Sequence, residues 1–384
     1  MQRRGFLSIG AASVVAFGLP RMSLAQPAAD YRRLLILIEL KGGNDSLNTV
    51  VPYADPAYYA LRARIAVRRD DVLQFDERTS LHPSLKPLLP LWGAHELAIV
   101  QGVGYPQPNL SHFRSIEIWD TASRAEETLQ RGWLARAFAA RPAPAGFAAD
   151  GVVVGASELG PLAGGGTRAI ALNDTDQFLR QARGAGSGSR PGNAALNHIL
   201  KVQGDIQQAA ARLNSDAVFR TEFPRNRFGN AVRTAAQIAA NPAGVGVIRL
   251  SLDGFDTHQN QPGVHARLLA ELAEGIAVLK SALLEVDRWN STLLMTYAEF
   301  GRRPQENNSN GTDHGTAAAH FVTGGRVRGG LYGQAPQLDR LEGGNLVHAV
   351  DFRSLYATAL ERWWGMSSAG PLNGRYPLLD LLKS

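Results

Sequence analysis

Apolar runs punctuate this chain, and several are followed at once by glycine, acid and histidine. Leu34–Leu40 is apolar except at Glu39 and leads into Gly42-Gly43-Asn44-Asp45. Val247–Leu252 leads into Asp253-Gly254-Phe255-Asp256-Thr257-His258. Leu293–Tyr297 leads into Glu299-Phe300-Gly301-Arg302, with Thr312-Asp313-His314-Gly315 soon after. Short apolar runs bounded by glycine and polar residues predict buried strands. Leu97–Gln101 and Gly151–Gly155 add two more. Helices are predicted at Leu85–Trp92, His112–Trp119, Gly132–Ala140, Ala195–Leu213, Phe228–Ala240, Val264–Val286 and Phe352–Trp364. In the sixth of these, Val264, Leu268, Leu269, Leu272, Ile276, Leu279 and Leu283 recur at helical spacing. Pro56–Phe75 reads as surface helix and loop.

Strands alternating with helices predict an α/β fold, with a largely parallel central sheet covered by helices on both faces. Residues 26–384 read as one domain. An insertion or cap is expected at about 157–240, where Gly160–Gly166 and Gly184–Gly192 are rich in Gly, Ser and Pro.

The first 25 residues read as a targeting segment rather than as fold. Arg3-Arg4-Gly5-Phe6-Leu7 is a twin-arginine signature, an apolar stretch runs from Ile9 to Leu19, and Ser23-Leu24-Ala25 suits cleavage. That stretch is too short to cross a bilayer, and no later one reaches a span. The expectation is a periplasmic or secreted protein, exported folded by the twin-arginine machinery. Of the formal +6 charge, three belong to Arg3, Arg4 and Arg21 of this segment. The mature chain carries no Lys/Arg run of the kind that binds nucleic acid. The chain has no cysteine, which excludes disulfides, thiolate metal sites and cysteine nucleophiles.

Ligands of such sheets bind beyond the carboxyl ends of the strands. Carboxylates and imidazoles gathered there are the donors that a divalent cation takes. The candidates are Asp45, Asp256, His258, Asp313 and His314, with Ser111 and His112 in Pro108-Asn109-Leu110-Ser111-His112-Phe113. Zinc suits this donor set best; calcium, magnesium and manganese are alternatives. Glu299 and Arg302 stand at another strand end, where Arg302 could pair an anionic group or form an internal ion pair. Lys41 and Asn44 flank the Gly-Gly turn and could meet an anion. Simpler roles stand beside these: Asp45 as a turn closer, Ser111 as a helix cap, Lys41 as a solvated loop residue.

Taken in order, Lys41–Asp45, Pro108–Phe113 with Trp119, Asp256-Thr257-His258, Glu299–Arg302 and Gly311–Gly315 resemble a family of twin-arginine-exported bacterial proteins of uncharacterised function. That family resembles a distant branch of the alkaline phosphatase and sulfatase superfamily. The resemblance runs from about Leu34 to Trp364. It implies an alkaline phosphatase-like fold and a metal-dependent hydrolase of phosphate or sulfate esters, small or polymeric. It also implies that Ser111 is the nucleophile, that Asp256 and His258 bind one metal, and that Asp45, Asp313 and His314 bind a second. Asp256 and His258 stand two residues apart where the superfamily's pair stands four apart. For the superfamily's last histidine the chain offers His320 or His348. A non-catalytic binding or assembly protein on the same scaffold is the alternative.

Overall fold

The computed structural model describes residues 29–172 and 217–383. The predicted signal at 1–25 and the predicted helix 195–213 lie outside the described residues. Eleven strands matter for the site: β1 Leu34–Lys41, β2 Leu97–Gly104, β3 Ala149–Val154, β4 Ala169–Leu172, β5 Val245–Asp253, β6 Thr292–Tyr297, β7 Gly301–Glu306, β8 Thr312–Gly315, β9 Ala318–Thr323, β10 Gly330–Gly333 and β11 Val350–Asp351. The helices used below are α1 Ser46–Thr49, α2 His112–Thr121, α3 Trp133–Ala140, α4 Arg227–Ala240, α5 Gln261–Glu285 and α6 Phe352–Thr358.

Nine strands form one sheet in the order β10-β2-β9-β6-β1-β5-β3-β4, with β11 also paired to β2. Every pairing is parallel except those of β9, which runs antiparallel to β2 and β6. The predicted α/β architecture with a largely parallel sheet is therefore the observed one. β1 is central, in register with β5 from Leu35↔Val247 to Lys41↔Asp253.

The unbroken apolar run of β1 follows from its position. A strand covered on both faces has no polar face, so its alternation disappears. Leu34, Ile36, Ile38 and Leu40 pack toward α4 and α5, in one core with Phe228, Val232, Leu268, Leu272 and Leu279. Leu35 and Leu37 point the other way, into a core with Ile118 and Trp119 of α2, Trp133 of α3 and Phe352 of α6. Glu39 falls on this second face and is buried; Arg249 of β5 neutralises it at 2.7 Å.

Some boundaries moved. Leu85–Trp92 contains Pro87 and Pro90, and it begins as a 3₁₀ turn over Pro83–Leu88 before an α segment at Leu89–Gly93. The Phe352–Trp364 helix ends in a π turn over Ala359–Trp363. Within the span expected as an insertion, β4 is the edge strand of the main sheet beside β3, and α4 packs on α5. Those two pieces belong to the body of the fold. Residues 173–216, between them, lie outside the described residues.

Candidate metal centre

The carboxyl ends of β1, β2, β5 and β6 lie along one edge of the sheet, and β9 runs the opposite way, so it begins there. Four loops leave this edge. Gly42 lets two of them touch: its φ is +113°, and a Cβ there would lie 2.3 Å from the Asp256 backbone nitrogen. No side chain fits such an approach. Gly311 is pressed as closely on His258, where a Cβ would sit 2.2 Å from the carbonyl carbon. These contacts bring the Asp256–His258 loop against the β1 turn on one side and the β7–β8 hairpin on the other.

Three imidazoles converge on one carboxylate. Asp256 Oδ1 lies 3.1 Å from His258 Nε2 and 3.2 Å from His314 Nε2, and Asp256 Oδ2 lies 3.5 Å from His112 Nε2. The two nitrogens His258 Nε2 and His314 Nε2 are 2.9 Å apart. His112, Asp256 and His314 each offer a ligand atom within 4.8 Å of the others. The Phe300 ring packs against His112 and His314, at 4.9 and 4.4 Å between centroids.

Each imidazole is held from behind by its other nitrogen. His314 Nδ1 donates to the Leu110 carbonyl at 2.8 Å. His112 Nδ1 bonds Glu299 Oε1 at 2.8 Å, and that oxygen also accepts the Gly42 N–H at 3.0 Å. His258 Nδ1 faces Asp313 Oδ1 at 3.4 Å. Metal-ligating histidines are oriented in this way, with the outward N–H on a carboxylate or carbonyl and the lone pair turned to the ion.

Arg302 fixes the carboxylate. Its guanidinium is fully buried and donates to Asp256 Oδ1 at 2.6 Å, to the carbonyls of Gly43 and Thr312 at 2.9 Å each, and to those of Gly42 and Phe255. Burial acting alone would raise the Asp256 pKa; the hydrogen bond and charge of Arg302, with His314 and His258, bring it down to about 2. The hydrogen bond that Glu299 accepts from His112 raises the imidazole above its ordinary value, whereas burial lowers His314. Arg302 is thus an internal clamp, and the role of pairing a substrate anion passes from it.

The other expected site residues fall in three places. Asp313 is exposed behind His258, steadied by Asn307 Nδ2, which also donates to the His258 carbonyl at 2.9 Å. Ser111 is exposed at the N-terminus of α2, beside His112, and its side chain makes no capping hydrogen bond. Lys41 is exposed at the end of β1 opposite Asp253. Glu299 is buried and serves His112 rather than a substrate.

Asp45, Asn44 and His320 are not brought to the cluster. Asp45 is buried and caps α1 through Leu47 N–H; Arg62 and Gln261 each donate to its Oδ2 at 2.5 Å. The Arg62 cation stands where a second metal was expected. Asn44 Oδ1 accepts from His265 Nε2 at 2.9 Å, and its Nδ2 bonds Thr49. His320 lies within β9 under Trp119, at 5.4 Å between ring centroids. It is fully buried, and burial lowers its pKa to about 3.

Several residues that position the site carry no sequence signature. Gln261 Oε1 accepts from Thr257 and Thr312 at 3.0 and 2.7 Å, tying both flanks of the cluster to Asp45. Arg62, Gln261 and the Leu110 carbonyl act through contacts that spacing does not reveal. Asn307 had a faint signal, as the first residue of an Asn-rich turn before Gly311.

Among solved structures, the chain is similar to a protein in the alkaline phosphatase superfamily from Vibrio parahaemolyticus. The identity is 10%, with 92% of this chain and 71% of that one covered and a TM-score of 0.44. The PsFucS1 sulfatase from Pseudoalteromonas sp. gives 10% identity, 91% and 70% coverage and a TM-score of 0.42. The alkaline phosphatase from the Antarctic bacterium TAB5 gives 11%, 78% and 92%, and 0.33. A search of curated proteins gave no match. Residues 91–367 match the profile of a family described as protein of unknown function (DUF1501), and the chain belongs to that family.

Proposed function

We propose that this protein is an exported, metal-dependent hydrolase of anionic esters, phosphate or sulfate, built around one divalent ion. One observation carries the reading: three imidazole Nε2 atoms face one carboxylate while each Nδ1 is engaged from behind. His112, Asp256 and His314 would hold the ion, three protein ligands being the number that leaves a coordination position open for chemistry. Two or more imidazoles with one carboxylate favour zinc over calcium or magnesium. When bound, the ion supplies Lewis acidity toward an ester oxygen.

The chain's own residues do the rest. Arg302 and Glu299 orient Asp256 and His112. His258, backed by Asp313, is the proton carrier, since its side chain is 44% exposed. Ser111 is the candidate nucleophile, an exposed hydroxyl next to His112 that is not spent on capping. Attack of Ser111 Oγ forms an oxygen–phosphorus or oxygen–sulfur bond and breaks the bond to the leaving alcohol. His258 takes the Ser111 proton and gives it to that alcohol, and water then cleaves the ester formed on Ser111, releasing phosphate or sulfate and restoring the hydroxyl.

The test is hydrolysis of p-nitrophenyl phosphate and p-nitrophenyl sulfate by zinc-reconstituted protein, beside His258→Ala and Ser111→Ala. Turnover that falls at least a hundredfold in both variants supports these roles. Turnover unchanged in both overturns them. Binding of zinc without turnover of either ester would favour a metal-holding, non-catalytic protein, a reading supported by the loss of Asp45 to Arg62.

A further inference from the structure

Gln101 lies on the face of β2 that carries Leu97 and Ile99 into the core. It is 5% exposed, and it lines a hollow in the protein. A carboxamide on a strand face that otherwise carries apolar side chains needs polar partners, so its setting matters. The setting is a cavity of about 350 Å³, and Gln101 forms part of its wall.

The cavity exists because small residues stand where a sheet face normally carries large ones. Ala317 and Ala319, at the start of β9, form its floor beside Gln101. Leu47, Leu341 and Leu346 form apolar sides. The segment Gln334–Gln337 crosses above. Under Ala335 and Pro336 the space meets a second hollow of about 370 Å³, which Gln101 also lines. Arg340 and Glu342 stand at the mouth with opposite charges. No charged side chain lines the floor.

We infer that this cavity is a binding site for a neutral, hydroxyl-bearing ring of monosaccharide to disaccharide size. The volume lies in the range of small-molecule sites, and apolar walls with a few convergent polar groups are their usual lining. A carboxamide offers a donor and an acceptor side by side, which matches adjacent hydroxyls. A charged ligand would meet no buried counter-ion at this depth. His348, half-buried at the same wall, adds a second polar partner. This inference is independent of the metal, whose proposed ligands do not line the cavity.

Titration calorimetry of the full chain in chelator, with D-glucose, D-galactose and cellobiose, tests it. Two variants are used: Gln101→Leu, which removes the amide at similar volume, and Ala349→Phe, which crowds the exposed rim. Saturable binding of at least one sugar, weakened tenfold or more in both variants at unchanged thermal midpoint, is expected. No saturable binding by wild type would overturn the inference. So would undiminished binding in both variants, or binding by glucose 6-phosphate with none by the neutral sugars.

Discussion

His258 Nε2 and His314 Nε2 lie 2.9 Å apart, and both face the same carboxylate oxygen of Asp256. A carbonyl can only accept, so His314 Nδ1 carries the proton that bonds Leu110. Asp313 Oδ1 faces His258 Nδ1 at 3.4 Å. Asp256 Oδ1 lies within 3.2 Å of both nitrogens. Arg302 already places one positive charge on Asp256 Oδ1, and a divalent ion held by His112, Asp256 and His314 would add the charge that this cluster of imidazoles and carboxylate is shaped to bind.

Glu299 should matter through His112 rather than through substrate. Glu299→Gln keeps the shape but removes the charge that fixes the imidazole and accepts the Gly42 N–H. Zinc affinity, read by chelator competition, is expected to fall about 10- to 100-fold. An unchanged affinity would show that His112 is not a ligand.

Asp45 should behave as a structural residue. Asp45→Ala leaves the Arg62 guanidinium buried without its partner and removes the α1 cap. Denaturant unfolding should show a loss of about 3–5 kcal/mol, with zinc stoichiometry unchanged in the folded protein. Loss of metal with little loss of stability would restore Asp45 as a ligand.

The buried histidines predict an acid-sensitive fold. Burial lowers the pKa of His82 to about 4 and those of His265 and His320 to about 3. His82 Nδ1 accepts the Ser84 N–H at 3.1 Å, which requires a deprotonated nitrogen there. Between about pH 6.5 and these values the unfolded chain binds more protons than the native one, so stability falls as pH falls. Each histidine contributes about 2 kcal/mol of loss by pH 5. Thermal midpoints measured from pH 7.5 to 5 should decline, and less steeply in His320→Phe. A flat profile would contradict neutral burial.

The sheet was legible because a strand covered on both faces writes a largely apolar run, as β1, β5 and β6 do with few polar interruptions. β7, β8 and β9 were not, because the polar hairpin carries no period and β9 reverses direction through tertiary pairing alone. Asp256, His258, Asp313 and His314 were singled out by their place after strands, and the fold brings these four side chains together. Asp45 had the same placement, but Arg62, 17 residues on, decides its role, and only folding brings the two together. His320 lies six residues past His314 in the sequence. Strand β9 nevertheless carries it down the sheet and under Trp119, away from the edge where His314 sits.

The most direct test of the central claim is the metal content of the purified protein after zinc reconstitution and desalting, beside a His112→Ala/His314→Ala double variant. One ion per chain, absent from the double variant, is the predicted result. No bound metal in the wild type, or the same content in both proteins, would contradict it.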